Sequence, residues 1–471
     1  MRRIGSVCLL FSLAVLAGGG CANVSTSKSH LVGMDDTLAR HDLAGAMKRI
    51  QKAKTTAYKE KDRILYYLDA GLLCHYNGRW EESNELLTQA DQSIEEAYTR
   101  SVSRAAASVM LNDNALEYAG EDYENIYLHV FKGVNYLRLG SFDSAFVEVR
   151  RINDKLNVLE DKYARIASEY KKSDNTSGST RTFKPGSTRF HNSALARYLS
   201  MLMYRAEGRP DDARIDLAKI QEAWQAAPSV YDFPMPPLST ALASSPTAYA
   251  KLNVVAFYGR SPDKLAKTLY IHTQPTAITI MTTEQVSAGN TKVNTLDVIP
   301  WNIGTALPAG SSFKFEIPYM KRRDTRVNRA ILYLNGYPVG DLVPIERLDQ
   351  VALETFKIRE PLIFLKTITR VIAKTIIKVK AVEELKKKND DTGGAELLLD
   401  ITMALTENAD LRIGQFFPST AAIREIEVPS GNYRATILYT DKRGTRLHQD
   451  ELGMIDVRSG QLNLLPSYYL N

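Results

Sequence analysis

The stretch Arg63 to Ala90, RILYYLDAGLLCHYNGRWEESNELLTQA, reads as two short helices folded back on each other across a turn at Asn77-Gly78. Small residues at Ala70 and Gly71 let a partner helix come close, and Tyr67 and Cys74 fall on the same face one turn to either side. Trp80, Ser83, Leu87 and Ala90 carry the stripe on at the helical period. Three other segments repeat the pattern. His41 to Ala53 reproduces its second half through Leu43, Ala46, Ile50 and Ala53. Tyr123 to Asn153 gives the fullest copy, with Gly133 and Tyr136, a turn at Leu139-Gly140-Ser141, then Phe142, Ala145, Val149 and Ile152. Phe190 to Gln221 runs through Met201 and Tyr204, a turn at Glu207-Gly208-Arg209, then Pro210, Ala213, Leu217 and Ile220. Pro210 suits a first helical turn, which has no hydrogen bond for its missing N–H to lose. A hairpin with one apolar stripe buries it only by stacking on a neighbour, so the pattern predicts a helical solenoid with insertions, the alternative being an unrelated helical bundle whose glycines merely mark turns. The turn residues His41, Gly78, Gly140 and Gly208 are unevenly spaced, and extra helices such as Ile94 to Leu116 lie between them.

The large, small and glycine positions of these copies resemble the tetratricopeptide (TPR) pattern of roughly 34 residues. The resemblance implies a TPR-like helical solenoid, an architecture that binds proteins. Tyr67, Tyr136 and Tyr204 are the candidate protein-binding residues on its surface.

The 471-residue length predicts two or three domains. Hydrophobic content of 44% and charged content of 24% are those of a globular chain, neither disordered nor multispanning. A formal charge of +6 is mild, and no base-recognition motif accompanies it, so no nucleic-acid partner is expected. Met1-Arg2-Arg3, the apolar run Ile4 to Ala17 and Gly18-Gly19-Gly20-Cys21 read as a signal peptide over residues 1–20, too short to span a bilayer. Ending on cysteine resembles a bacterial lipoprotein signal, although Gly18 stands where such signals usually carry leucine. The resemblance implies acylation of Cys21, with palmitate among the chains, and Ala22 after it implies sorting to the outer membrane. Ordinary cleavage after Ala22 is the alternative. Residues 21–30 then form a tether. Of the three cysteines only Cys74 would remain free, on an apolar helix face, where it reads as a small buried hydrophobe.

The TPR-like region is expected over 31–225, with a mobile loop at 171–187, rich in Ser, Thr, Gly and Lys. A proline-rich linker follows at 226–249. Beyond it the period changes from helical to alternating. Leu252–Tyr258, Thr268–His272, Ala277–Thr282, Ser312–Ile317 and Arg329–Leu334 read as strands, with a hairpin at Asn335-Gly336. Strand character returns at Ile423–Val428, Tyr433–Thr440, Gly453–Val457 and Gln461–Leu465. A β-rich, sandwich-like domain over 250–471 is therefore expected, interrupted by a helical insertion at 346–408. The overall class is α+β, multidomain. In the insertion Leu365, Ile368, Ile372, Ile376 and Val379 line one side, while Lys366, Arg370, Lys374 and Lys378 form a candidate basic stripe. Between Lys357 and Lys388 ten basic residues face three acidic ones. Such a stripe suits anionic lipid headgroups, an acidic protein or an anionic cell-wall polymer, or is a solvated face over a helix packed on the sheet.

Chemistry is sparse. The seven histidines form no metal-ligand spacing, and no nucleophile elbow, phosphate loop or paired-carboxylate motif is present, so neither a catalytic residue, a metal nor a cofactor is expected. His272 reads as facing outward from its strand, and Asp410-Leu411-Arg412 as a structural ion pair. A lipoprotein-type start, Tyr123-Glu124-Asn125, Ala145-Phe146-Val147-Glu148-Val149-Arg150-Arg151, the basic helix, Ala409-Asp410-Leu411-Arg412 and Pro429-Ser430-Gly431-Asn432-Tyr433 together resemble an uncharacterised family of Gram-negative outer-membrane lipoproteins with TPR-like repeats. Ile413-Gly414 stands where that family commonly has tryptophan. The resemblance implies a non-enzymatic scaffold for envelope proteins, lipid-anchored at the outer membrane and facing the periplasm, acting in cell-wall synthesis or envelope assembly. A component of a secretion or surface machine and an envelope enzyme are the alternatives.

Overall fold

Four residues expected to reverse the chain between helices, His41, Gly78, Gly140 and Gly208, all have positive φ, at 56°, 72°, 75° and 70°. That backbone is left-handed and ends the helix before it; glycine adopts it without strain. The computed structural model describes residues 28–103, 112–173, 186–243, 245–287, 290–300, 310, 312–386 and 407–471. The expected signal peptide, Cys21, most of the tether, the centre of the 171–187 loop and the end of the helical insertion lie outside these residues.

Ten α-helices and twelve strands lie among the described residues. Helices α1 (Met34–Ala39) and α2 (Leu43–Ala53) flank His41, and Asp42 caps α2 by accepting the Gly45 N–H at 2.8 Å. Then come the hairpins α3 (Arg63–Tyr76) with α4 (Trp80–Ser103), and α5 (Asp122–Arg138) with α6 (Phe142–Asn157). Helix α7 (Leu159–Ser173) precedes the third hairpin, α8 (Ala194–Ala206) with α9 (Pro210–Ala226). A capping box between Glu121 and Glu124 starts α5, and Pro210 occupies the first turn of α9. Each helix packs on the next, α2 to α3, α4, α5 and α6, and α6 then meets α8. Cys74 is fully buried in α3, and burial pushes its thiol up to about 12, so it behaves as the expected apolar filler.

Four strands, β12 (Asn463–Tyr469), β1 (Tyr249–Tyr258), β9 (Thr420–Pro429) and β8 (Val343–Arg347), form a central sheet in that order. Its β1 and β12 run parallel, whereas β1–β9 and β8–β9 are antiparallel. A second sheet, β11 (Arg446–Val457), β10 (Gly431–Thr440), β6 (Arg329–Leu334) and β7 (Tyr337–Asp341), lies face to face with it. Between the two lie Leu252, Val254, Ala256, Leu332, Ile437 and Tyr439. Val255 and Phe257, the alternate residues of β1, turn to the opposite face and join the helical core. Phe257 there meets Phe131 of α5 at 5.4 Å and stacks on Tyr468 at 5.8 Å. Helices, central sheet and outer sheet are thus three layers, and the central sheet is buried on both sides. The proline-rich stretch after α9 follows the helical layer closely, with Val230, Tyr231, Leu238 and Ala241 buried against it.

A third sheet, β4 (Asn290–Pro300), β3 (Ala277–Ser287), β2 (Asp263–Thr273) and β5 (Ser312–Lys321), packs on the long helix α10 (Leu348–Lys386). Ile368, Val371 and Ile372 of α10 lie against Leu269, Ile271, Phe313 and Phe315. The apolar side of the insertion therefore does face a sheet. His272, in β2, is half-buried, with Nδ1 3.0 Å from the Ser312 hydroxyl.

Candidate functional site: a groove on the helical layer

Consecutive hairpins leave a groove of about 560 Å³ between α4, α5 and α6. Asp91, Glu95 and Glu96 line it from α4, Lys132 and Tyr136 from α5, and Glu148 and Arg151 from α6. The helical period brings these side chains to one concavity, because residues three and four apart share a face.

Its floor is a charge network. Lys132 Nζ lies 2.9 Å from Glu148, whose other oxygen is 2.6 Å from His129 Nδ1. Burial pushes Glu148 up, but hydrogen bonds from His129 and Lys132 outweigh this and hold its carboxyl below the usual range. Burial in turn lowers His129, more than its two carboxylate neighbours raise it. Arg151 donates to Asp91 at 2.9 Å, and Lys155 bridges Asp91 and Glu95. Tyr136 stands half-buried on the wall above. A polar floor, an aromatic wall and four carboxylates against the three cations Lys132, Arg151 and Lys155 suit a polar, basic segment of another chain better than an apolar small molecule.

Of the three tyrosines singled out in the sequence, only Tyr136 lines this groove. Tyr67 is half-buried beside Tyr66, with ring centroids 6.1 Å apart. Tyr204 packs on Phe146 at 4.8 Å, accepts a hydrogen bond from Arg150 at 3.1 Å and lies under the Arg209 guanidinium. The three do not converge.

The basic stripe is corrected. Lys366 Nζ donates to Asp113 at 2.5 Å, Arg370 pairs with Glu407 at 2.5 Å and with Asp113 at 3.5 Å, and Lys374 donates to Glu407 at 3.1 Å. Arg370 is only 2% exposed. The carboxylates come from outside α10, so a count of charges along the helix alone overstated its positive face. The side chain of Lys378 lies outside the described part. Asp410 and Arg412 do form the expected ion pair, at 2.7 Å.

Two buried acids were missed. Glu346 of β8 is fully buried and accepts hydrogen bonds from the Tyr127, Ser193 and Tyr231 hydroxyls and from the Leu195 N–H, tying the central sheet to α5 and α8. Asp69 of α3 accepts from Tyr58 OH at 2.8 Å and from the Gln415 N–H at 2.7 Å. It borders a second cleft of about 440 Å³, shared with Asp62 and Arg412. Burial pushes it up to about 7. A carboxylate inside the apolar run Tyr66-Tyr67-Leu68-Asp69-Ala70-Gly71-Leu72 was the available signal. No known protein family, characterised protein or solved structure matches the chain.

Proposed function

We propose that this chain is a non-enzymatic periplasmic scaffold whose TPR-like succession of hairpins holds a basic, polar segment of an envelope protein in the groove between α4, α5 and α6. The observation that carries the reading is that groove, with Tyr136 on its wall and an acid-rich floor. Acylation at Cys21 would hold the scaffold at the outer membrane, and several acyl chains would make the anchor stable, since each buried methylene contributes about 0.8 kcal/mol. Tethering raises the local concentration of whatever the groove binds. The resemblance to the Gram-negative lipoprotein family points to cell-wall synthesis or envelope assembly as the setting.

The test is site-specific photocrosslinking in cells, with the probe replacing Tyr136 or, as a control, exposed Ile215. A discrete protein adduct at position 136, absent at 215, supports the reading. Adducts with lipid alone, or none, reject it. Labelling with palmitate, abolished by Cys21→Ser, tests the anchor separately.

A further inference from the structure

His41 and His448 come from opposite ends of the chain and meet nearly face to face, with ring centroids 4.3 Å apart and planes inclined by 30°. His41 sits in the tight turn between α1 and α2, its position set by the hydrogen bond from its own N–H to the Leu38 carbonyl at 2.8 Å. His448 lies on β11, opposite Tyr439 of β10. Asp450, two residues further along the same strand, projects from the same face. The three side chains bring potential ligand atoms within 4.8 Å of one another.

Two of the ring nitrogens, His41 Nδ1 and His448 Nε2, are buried without a hydrogen-bond partner. Buried polar atoms are normally paired, so two orphaned nitrogens beside a carboxylate need an occupant. We propose that His41, His448 and Asp450 bind one divalent transition-metal ion of the zinc type, which clips the α1–α2 turn to β11.

Ligand chemistry supports this. Two neutral imidazoles and a carboxylate are a common donor set for zinc, leaving a fourth position for water. Ligand–metal distances of about 2.0–2.2 Å require the three groups, whose ligand atoms now lie within 4.8 Å of one another, to draw together around the ion. A second shell is in place: the Ser467 hydroxyl donates to Asp450 at 2.6 Å and bonds Tyr439 OH, while Tyr469 stacks on His448 at 4.8 Å. The Tyr469 hydroxyl also donates to the Ala39 carbonyl at 3.3 Å, so the turn already docks where the ion would fasten it. Arg446, the nearby cation on β11, is exposed, and Asp450 supplies the compensating charge.

The experiment is calorimetric titration of the chelator-stripped full chain, free of added histidines, with zinc chloride. One ion per chain is expected, and His41→Ala, His448→Ala and Asp450→Asn should each weaken binding by about tenfold or more. His448 also stacks on Tyr439 and Tyr469, so its removal disturbs packing as well as ligation, and X-ray absorption of the zinc-loaded wild type provides a second reading. Two imidazoles with oxygen ligands are expected. No bound zinc, unchanged affinity in folded variants, or a shell lacking imidazole would overturn the site.

Discussion

The Arg412 guanidinium lies 2.7 Å from Asp62, 350 positions away in the chain, just where the segment leading into β9 rejoins the helical layer. The same fork grips Asp410 at 2.7 Å and the carbonyls of Leu116 and Asp113 at 3.0 and 2.8 Å. Removing it strands two carboxylates and two carbonyls with little access to water. Arg412→Ala should therefore destabilise the fold by about 3–5 kcal/mol, and Arg412→Lys should recover only part, since an ammonium cannot serve the planar set. Urea unfolding measures both; a loss within about 0.5 kcal/mol, ordinary for surface sites, would contradict the seam's role.

Asp69 leads to a pH dependence. Burial pushes its carboxyl from 3.8 up to about 7, against the hydrogen bonds from Gln415 and Tyr58. Between about pH 4 and pH 7 the folded chain keeps a proton that the unfolded chain has released. Stability from this group thus falls as pH rises through that window and is level above it, with a slope of at most about 1.4 kcal/mol per pH unit. Glu124, also pushed up to about 7, falls in the same window, so the wild-type curve contains both. In Asp69→Asn the amide oxygen still accepts from Gln415 and its NH₂ can donate to Tyr58. The variant should gain on wild type from pH 5 to pH 8; parallel stability curves would contradict this.

The hairpins were legible because their signals are local: a left-handed turn residue and small side chains at helical spacing. Most strands were legible for the same reason, and in β1 both parities are apolar because Leu252 and Val254 face the outer sheet while Val255 and Phe257 face the helices. Direction was not legible, since the alternation in β12 is the same whether it runs parallel or antiparallel to β1. Strand β4, whose apolar residues Val293, Leu296, Val298 and Ile299 do not alternate regularly, and β8, with Pro344 inside it, lacked the apolar alternation that marks a strand. In the groove Tyr136 was found because it belongs to a repeat. Asp91 and Glu95 carried no local signal, and Glu148 was named only within the motif that resembles the lipoprotein family, because their convergence depends on packing between hairpins. Pairings such as Arg370 with Glu407 and His41 with His448 depend on tertiary convergence, which no local window contains.

Gly71 and Gly133 occupy equivalent places in their hairpins, yet their surroundings differ. A Cβ on Gly71 would lie 2.8 Å from Leu87 Cδ2 and 2.9 Å from its Cγ, whereas on Gly133 the nearest atom is Val149 Cγ2 at 3.3 Å. Alanine adds about 1 kcal/mol of helix preference over glycine at either site. Leu87 is fully buried, so overpacking at 71 should cost about 1–3 kcal/mol and outweigh that gain. Gly71→Ala should be net destabilising and Gly133→Ala close to neutral. Thermal unfolding of both variants decides it, and equal shifts would show that Leu87 can yield.

Arg370 tests what the basic helix is for. Its guanidinium is enclosed between Glu407 and Asp113, and the neighbouring Lys366 and Lys374 end on the same two carboxylates. Burial pushes Asp113 up, but Lys366 and Arg370 outweigh it and hold the carboxyl far below its ordinary range, so the charges act on each other. Arg370→Met keeps the side-chain length but leaves Glu407 partly uncompensated, which should cost about 3–5 kcal/mol in chemical unfolding. Lys366→Gln and Lys374→Gln should also lower stability, and none of the three should weaken cosedimentation with anionic vesicles. A docking face would give the opposite pattern, with unchanged stability and vesicle binding that falls with each lost charge and with added salt.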